Sequence, residues 1–310
     1  MTMANYLVTG AAGFIGGAVA KRLIDEGHLV TTIDNLSTGR EENIPEGIEF
    51  IYGNCQDENL LSKLSTKKFD TIFHIAGQSS GEISFDDPIY DLQTNAQSTL
   101  VLLNLSKRIN CKRFIYASTM SVYGDQPDEP VTENHSTIPK SFYAVGKLAS
   151  ENYLSIYNKN FGIQTTSLRL FNVYGPGQNM DNLKQGMVSI FLAQALENRN
   201  IIVKGSPDRF RDQVYIDDVT TAFILANWRS TTSHLDVNIC TGIKTYVKDV
   251  LYNIQRMVPF ETSIQYQGST PGDQFGIYGD PSKAENVLSW KAKISFDVGI
   301  KKMINWATNK

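Results

Sequence analysis

Cysteine is scarce in this chain of 310 residues: only Cys55, Cys111 and Cys240 occur. An odd number at such wide spacing excludes a disulfide framework and a clustered zinc site, and it fits a reducing cytoplasm. Neither sign of charge dominates. Lys and Arg number 29 against 32 Asp and Glu, for a formal net charge of −3, too even for a surface devoted to nucleic acid or an anionic membrane. No apolar run approaches the ~18 residues of a membrane span. The opening MTMANYLVTG lacks a charged segment followed by an apolar one, so no leader or membrane attachment is expected. The four histidines (His28, His74, His135 and His234) have no metal-ligand spacing. His74 lies inside an apolar strand and reads as a packed or hydrogen-bonded core residue. Internal repeats, low-complexity tracts and long linkers are all missing. Hydrophobic residues at 41% and charged residues at 20% are ordinary globular usage, which excludes wholesale disorder.

What is present is an alternation of short apolar runs with helical patterns. Tyr6–Thr9, Leu29–Asp34, Ile48–Tyr52, Thr71–Ala76, Arg113–Ala117 and Ile163–Leu170 read as strands. Between them, Phe14–Glu26 carries Ala18, Val19, Leu23 and Ile24 at helical spacing and meets a stop at Gly27. Pro88–Ile109 and Ser141–Asn160 read as two longer helices. Strands alternating with helices predict an α/β fold: a doubly wound parallel sheet of Rossmann type, covered on both faces. After about Asn172 the rhythm breaks. A glycine/proline turn at Gly175–Gln178, a helix at Gln185–Glu197, a mixed stretch Arg209–Asp218 and turns at Thr270–Asp273 and Gly279–Ser282 suggest a smaller mixed cap.

Thr9-Gly10-Ala11-Ala12-Gly13-Phe14-Ile15-Gly16 lies between the first strand and the first helix. Glycines at this spacing let backbone approach a pyrophosphate at a helix N-terminus. A tight turn without a ligand is the bland alternative, but Asp34 closes the second strand, where a carboxylate accepts bonds from an adenosine ribose diol and repels a 2′-phosphate. The pattern predicts NAD rather than NADP. Arg40, six residues further on, is too distant to be assigned a phosphate.

Tyr143 and Lys147 stand four apart on one face of a predicted helix. An ammonium beside a phenol favours phenolate and lowers its pKa, giving a base that operates nearer neutral pH. The same pairing occurs on solvent-facing helices without catalytic meaning. Here it follows a dinucleotide loop and a strand ending Ala117-Ser118-Thr119, whose hydroxyls fall at the carboxyl end of the sheet, where ligands bind in such folds.

The segments TGAAGFIG, DNLSTG, YASTMSVYG, the Tyr-x-x-x-Lys pair and LRLFNVYGPGQ occur in the order found in extended short-chain dehydrogenase/reductases. More narrowly, the chain resembles the NAD-dependent nucleotide-sugar epimerase/dehydratase family from about residue 4 to residue 290. That resemblance implies an NAD-binding domain over 1–171, with 212–240 returning to it. It also implies a nucleotide-sugar-binding domain from 172–211 and 241–310, and a homodimer built on the helices Pro88–Ile109 and Ser141–Asn160. It implies Tyr143 as base and acid at the sugar hydroxyl. Lys147 would hold the nicotinamide ribose and depress the Tyr143 pKa, and Thr119 would complete the triad. Cofactor contacts are implied at Gly10, Gly13, Phe14, Ile15, Gly16, Asp34, Asn35, Leu36, Ser37, Thr38, Gly39, Asn54, Cys55, Ile75, Ala76, Gly77, Asn95, Ser118 and Phe171. Contacts to a UDP-sugar are implied at Ser79, Thr119, Asn172, Arg211 and Asp273.

Three departures from the family pattern stand out. Asn54 replaces an aspartate, and Thr270 replaces an arginine expected near the diphosphate. Met120-Ser121 stands where dehydratases carry Asp-Glu. The reading that follows is a cytoplasmic UDP-sugar 4-epimerase working through a 4-keto intermediate. Its alternatives are a 4,6-dehydratase or reductase on the same scaffold, and a non-catalytic NAD-binding sensor, which the intact Tyr143 and Lys147 disfavour.

Overall fold

The structure is a computed structural model that describes residues 3–184, 186–229, 232–268 and 275–309. Its strands, in chain order, begin with β1 (Asn5–Thr9), β2 (Leu29–Asp34), β3 (Glu49–Tyr52), β4 (Thr71–His74), β5 (Arg113–Thr119) and β6 (Gln164–Leu170). They continue with β7 (Asn172–Tyr174), β8 (Asn200–Val203), β9 (Phe210–Arg211), β10 (Gln213–Tyr215) and β11 (Leu235–Ile239). The last are β12 (Thr245–Tyr246), β13 (Ser263–Tyr266) and β14 (Gly276–Ile277).

Seven strands form one sheet in the order β11-β6-β5-β4-β1-β2-β3, every neighbour parallel. The order reverses between β1 and β4. At such a switch point the connections leave on opposite faces and open a crevice beyond the strand ends. The expected doubly wound parallel sheet is therefore observed, and β11 returns to it after the chain has left.

The helices are α1 (Phe14–Asp25), α2 (Glu58–Ser62), α3 (Ile83–Asp86), α4 (Pro88–Leu92), α5 (Ser98–Arg108) and α6 (Phe142–Phe161). Beyond them lie α7 (Met187–Asn198), α8 (Ile216–Trp228), α9 (Val247–Met257), α10 (Ser282–Leu288) and α11 (Phe296–Thr308). Helix α1 buries Val19, Ala20 and Leu23 and ends before Gly27, whose φ of +85° suits a residue without Cβ. Helix α6 starts where Ser141 accepts a bond from the Ala144 N–H and stops at left-handed Gly162. The predicted helix Pro88–Ile109 is corrected: α4 and α5 are joined by a π turn, Gln93–Gln97, which holds Asn95. The predicted Gln185–Glu197 helix starts at Met187, and Gln185 lies outside the described residues.

The core has three apolar clusters. One joins α1, α8 and α10 to one face of the sheet, with Phe73, Leu168, Phe171, Phe223 and Trp290 inside it. A second lies under α5 and α6 on the opposite face, around Phe114, Tyr116, Leu102 and Leu154. The third is built by α7, α9 and α11 around Phe191, Leu251 and Ile300, and it supports the smaller sheets.

Candidate active site

Thr9 ties the two strands at the switch point together. Its Oγ1 is 2.9 Å from His74 Nδ1 and accepts from the Ile75 and Ala76 N–H groups at 3.1 Å each. Backbone after β4 is thereby held against the glycine loop. A Cβ on Gly10 would stand 2.9 Å from Ala76 Cα, and one on Gly16 only 2.1 Å from the Gly10 carbonyl oxygen. Glycine at 16 lets α1 begin that close to the loop. The N-cap, Gly13, has no side chain to satisfy the first N–H groups, and the first turn carries no acid. An uncapped helix start of this kind leaves donors and positive dipole for an anion.

The cleft above it is walled by Gly10, Gly13, Phe14, Ile15, Gly16, Asp34, Asn35, Ser37, Thr38, Gly39, Cys55, Ile75, Ala76, Gly77 and Ser79. The Asp34 carboxylate is held by the Ala12 N–H at 3.0 Å and the Leu36 N–H at 2.8 Å, so its position beside the glycine loop is set before any ligand arrives. The residues fit a dinucleotide: a glycine cradle that a side chain would fill, an uncapped helix start, and a fixed carboxylate at the end of β2.

Other expected cofactor residues stand off this wall. Leu36 sits at φ +57° in the turn; Asn54 Oδ1 accepts from Asn35 Nδ2 at 2.8 Å; Ser118 Oγ donates to Glu151 at 2.5 Å; Phe171 is part of the main core. Asn95 lies buried behind Gly77, with its Oδ1 2.4 Å from where a Gly77 Cβ would be. Sequence reasoning missed Gly53, Gln56, Tyr90, Thr94, Gln178, Asn179 and Asn182, which complete the wall. The only available signals were the i, i+4 spacing of Tyr90 and Thr94 and the polar run after the 175–178 turn. Arg40 pairs with Asp181 and, at 3.5 Å, with Glu42.

Tyr143 and Lys147 project from the first turns of α6 toward the end of β5. The Lys147 ammonium donates to the Ala117 carbonyl at 2.9 Å and lies 5.8 Å from the Tyr143 ring centre and 4.8 Å from that of Tyr116. Burial pushes the Tyr143 phenol up to about 12, against the pull of a hydrogen bond from Thr119. In the protein alone burial decides the direction. Burial likewise brings Lys147 down to about 8, opposed by the carboxylates of Asp91 and Glu151. Thr119 Oγ1 accepts from the Ser121 N–H at 3.2 Å, and that cap fixes the turn in which Met120 and Ser121 stand.

A second cavity opens beside α7. It is lined by Asn172 and Arg211 together with Lys184, Lys204 and Arg209, a set that sequence reasoning had only begun to identify. Asn172 Oδ1 is buried without a hydrogen-bond partner among the described residues. Arg211 is anchored through the Phe210 carbonyl at 2.7 Å, while its neighbour Asp212 accepts from Thr241 and Gly242. Asp273 and Thr270 lie outside the described residues. His74 is buried, with Thr9 and Ser98 on its two nitrogens, and among the described residues no cluster of side chains could hold a metal.

The chain belongs to the NAD dependent epimerase/dehydratase family, whose pattern it matches over residues 6–240. It is accordingly an NAD-dependent enzyme of epimerase type. A UDP-glucose 4-epimerase of Mycolicibacterium smegmatis is 33% identical over 310 residues, covering 98% of each chain. Among solved structures, a UDP-glucose 4-epimerase from Thermotoga maritima with UDP-glucose superposes at a TM-score of 0.95, with 33% identity over 98% of this chain and 99% of that one. The Thermus thermophilus UDP-glucose 4-epimerase in complex with NAD superposes at 0.91, with 31% identity over 97% and 98%.

Proposed function

We propose that the protein is a 4-epimerase of a UDP-sugar, inverting C4 through a transient 4-keto sugar. The observation that carries this reading is the cluster of Tyr143, Thr119 and Lys147 at the end of β5, with Met120 and Ser121 where an eliminating enzyme of the family keeps acids. NAD, when bound, supplies a hydride acceptor for C4 and a positive ring beside the phenol. Gly10 to Gly16, Asp34, Asn35, Ser37, Thr38, Gly39, Cys55 and Ile75 to Gly77 would hold it.

Tyr143 takes the proton from the sugar O4 and later returns it, with Thr119 donating to the phenol oxygen as charge develops there. A phenol raised to about 12 by burial is a poor base near neutral pH, and a bound NAD would add positive charge that favours the phenolate. Lys147 holds the nicotinamide ribose and keeps its charge within the same buried site. Asn172 and Arg211, beside three further cations, hold the diphosphate, since guanidinium and amide donors match phosphate oxygens. Elimination of water needs a base at C5 and an acid for the leaving hydroxyl, and one tyrosine does not fill both roles.

We assign residues 1–171 and 212–240 to the NAD domain, and 172–211 with 241–310 to the sugar-nucleotide domain. A homodimer is proposed on the helices of Pro88–Ile109 (α4 and α5) and Ser141–Asn160 (α6), which carry Ile89, Leu92, Val145 and Ile156, all more than half exposed. No helix among the described residues is long and apolar enough to cross a membrane, and three free, buried thiols support a reducing cytoplasm.

The test is the fate of hydrogen. Turnover of UDP-sugars in D₂O should give a product of unchanged mass with every carbon-bound hydrogen unlabelled. Loss of water, or deuterium at C5, would overturn the assignment in favour of a dehydratase.

A further inference from the structure

Asp91, on α4, takes no part in the chemistry described so far, yet it is almost wholly buried and belongs to no ion pair within 4 Å among the described residues. Its Oδ2 accepts from Gln78 Nε2 at 2.8 Å and from Asn95 Nδ2 at 3.1 Å. Its Oδ1 has no hydrogen-bond partner among the described residues and lies 3.4 Å from where a Cβ on Gly146 would stand. Gly146 lies on α6, between Tyr143 and Lys147. A buried carboxylate with a vacant oxygen is costly unless something nearby uses its charge.

The amide of Asn95 shows what that use is. Both protons of its Nδ2 are committed, one to Asp91 and one to the Gln78 carbonyl at 3.0 Å. An ionised carboxylate only accepts, so Asn95 cannot turn its amide round without setting two acceptors against each other. Its carbonyl is therefore forced to face the other way. That oxygen is buried and unpartnered, and it crowds the same point behind Gly77 as Lys147 Nζ, at 2.4 and 3.5 Å respectively. The π turn at Gln93–Gln97 brings Asn95 inward to reach it. Through Gln78, whose Nε2 also donates to the Ser80 carbonyl at 2.7 Å, the same carboxylate anchors the loop that carries Gly77 and Ser79 on the cleft wall.

We infer that Asp91 is a positioning residue of the NAD site: it locks the Asn95 carbonyl and the Gly77–Ser80 loop toward the cofactor and sets its own negative charge on the side of Lys147. This rests on the reading of Tyr143 and Lys147 as working residues. Lys147 is faced by Asp91 from α4, by Tyr143 and Glu151 from its own helix, by Tyr116 from β5 and by His74 from β4. Only Asp91 and Glu151 oppose the fall of its pKa, Asp91 more strongly, and Glu151 is already engaged by Arg169 at 2.7 Å.

The experiment is calorimetric NAD binding to the apo form of the full chain between pH 6.5 and 9.5, for the wild type and Asp91→Asn. In the variant two amides face one another and the charge is gone. Affinity should fall about tenfold at pH 7, and its loss on the alkaline side should begin at a lower pH than in the wild type. A folded Asp91→Asn protein with wild-type affinity and an unshifted alkaline limb would overturn the inference, as would a uniform weakening with no shift. Asp91→Ser, which is smaller and removes the charge, carries the same expectation should Asp91→Asn not fold. Wild-type protein that binds NAD with this pH dependence yet turns over no UDP-sugar would sink the functional reading and leave this one standing.

Discussion

Asp34 and Tyr143 are single residues whose proposed work can be separated by what each touches. Asp34 is fixed by two backbone N–H groups at the rim of the cleft. Asp34→Ala removes both the loop's anchor and the acceptor for a ribose diol, and should weaken NAD binding by one to two orders of magnitude, about the worth of hydrogen bonds to a charged group. The wild type should strongly prefer NAD to NADP; equal affinities in calorimetry would remove the assignment. Tyr143→Phe barely changes volume, so folding and NAD binding should persist while turnover falls by ~10²–10⁴, the range for lost acid–base catalysis. Retention of most activity would rule out Tyr143 as the base. Spacing at i, i+4 told that Tyr143 and Lys147 share a face, but not that the ammonium would point to the Ala117 carbonyl or that burial would raise the phenol pKa.

Among the elements, the helix pair α4 and α6 decides two things at once. Their inner faces bring Asp91 and Gly146 together, and their outer faces carry the apolar side chains proposed to dimerise. Val145, adjacent to Gly146 but pointing outward, is 52% exposed, so Val145→Asp costs the monomer little. Sedimentation should then show the dimer giving way to monomer with the fold intact, and an undisturbed dimer would place the interface elsewhere. The π turn was illegible beforehand, because Gln93–Gln97 breaks no hydrophobic period and contains neither glycine nor proline; only the need to turn Asn95 inward marks it. Helix α1 was legible almost to the residue, since its start and stop are glycines with steric reasons.

For the whole molecule, His74 couples stability to pH. Burial holds its pKa down at about 3, with Lys147 adding to the effect, against an ordinary value near 6.5. The unfolded chain therefore binds a proton that the folded chain refuses between pH 6.5 and about 3. Stability rises with pH wherever the unfolded state binds more protons, so this contribution is fully present above 6.5 and is lost as pH falls. The loss is on the order of 1.4 kcal/mol per pH unit. In urea titrations His74→Gln, which keeps a donor and an acceptor for Thr9 and Ser98, should be less stable than the wild type at pH 7. The difference should narrow steadily toward pH 4, and a constant difference would mean that His74 takes up its proton as readily in the folded state as in the unfolded chain.

The alternation of strands and helices, the glycine loop and the carboxylate after β2 were determined by the sequence alone. Each depends on local rules: side-chain period, the absence of a Cβ, the position of a strand end. The second cavity was a different matter. Asn172 and Arg211 were expected to act together, but Lys184, Lys204 and Arg209 line the same cavity from segments with no shared periodicity, and only packing of α7 and α9 brings them together. Burial, too, belongs to the tertiary structure. It raised Tyr143 and lowered Lys147, because the dielectric around a side chain is set by neighbours distant in sequence, which no local pattern records.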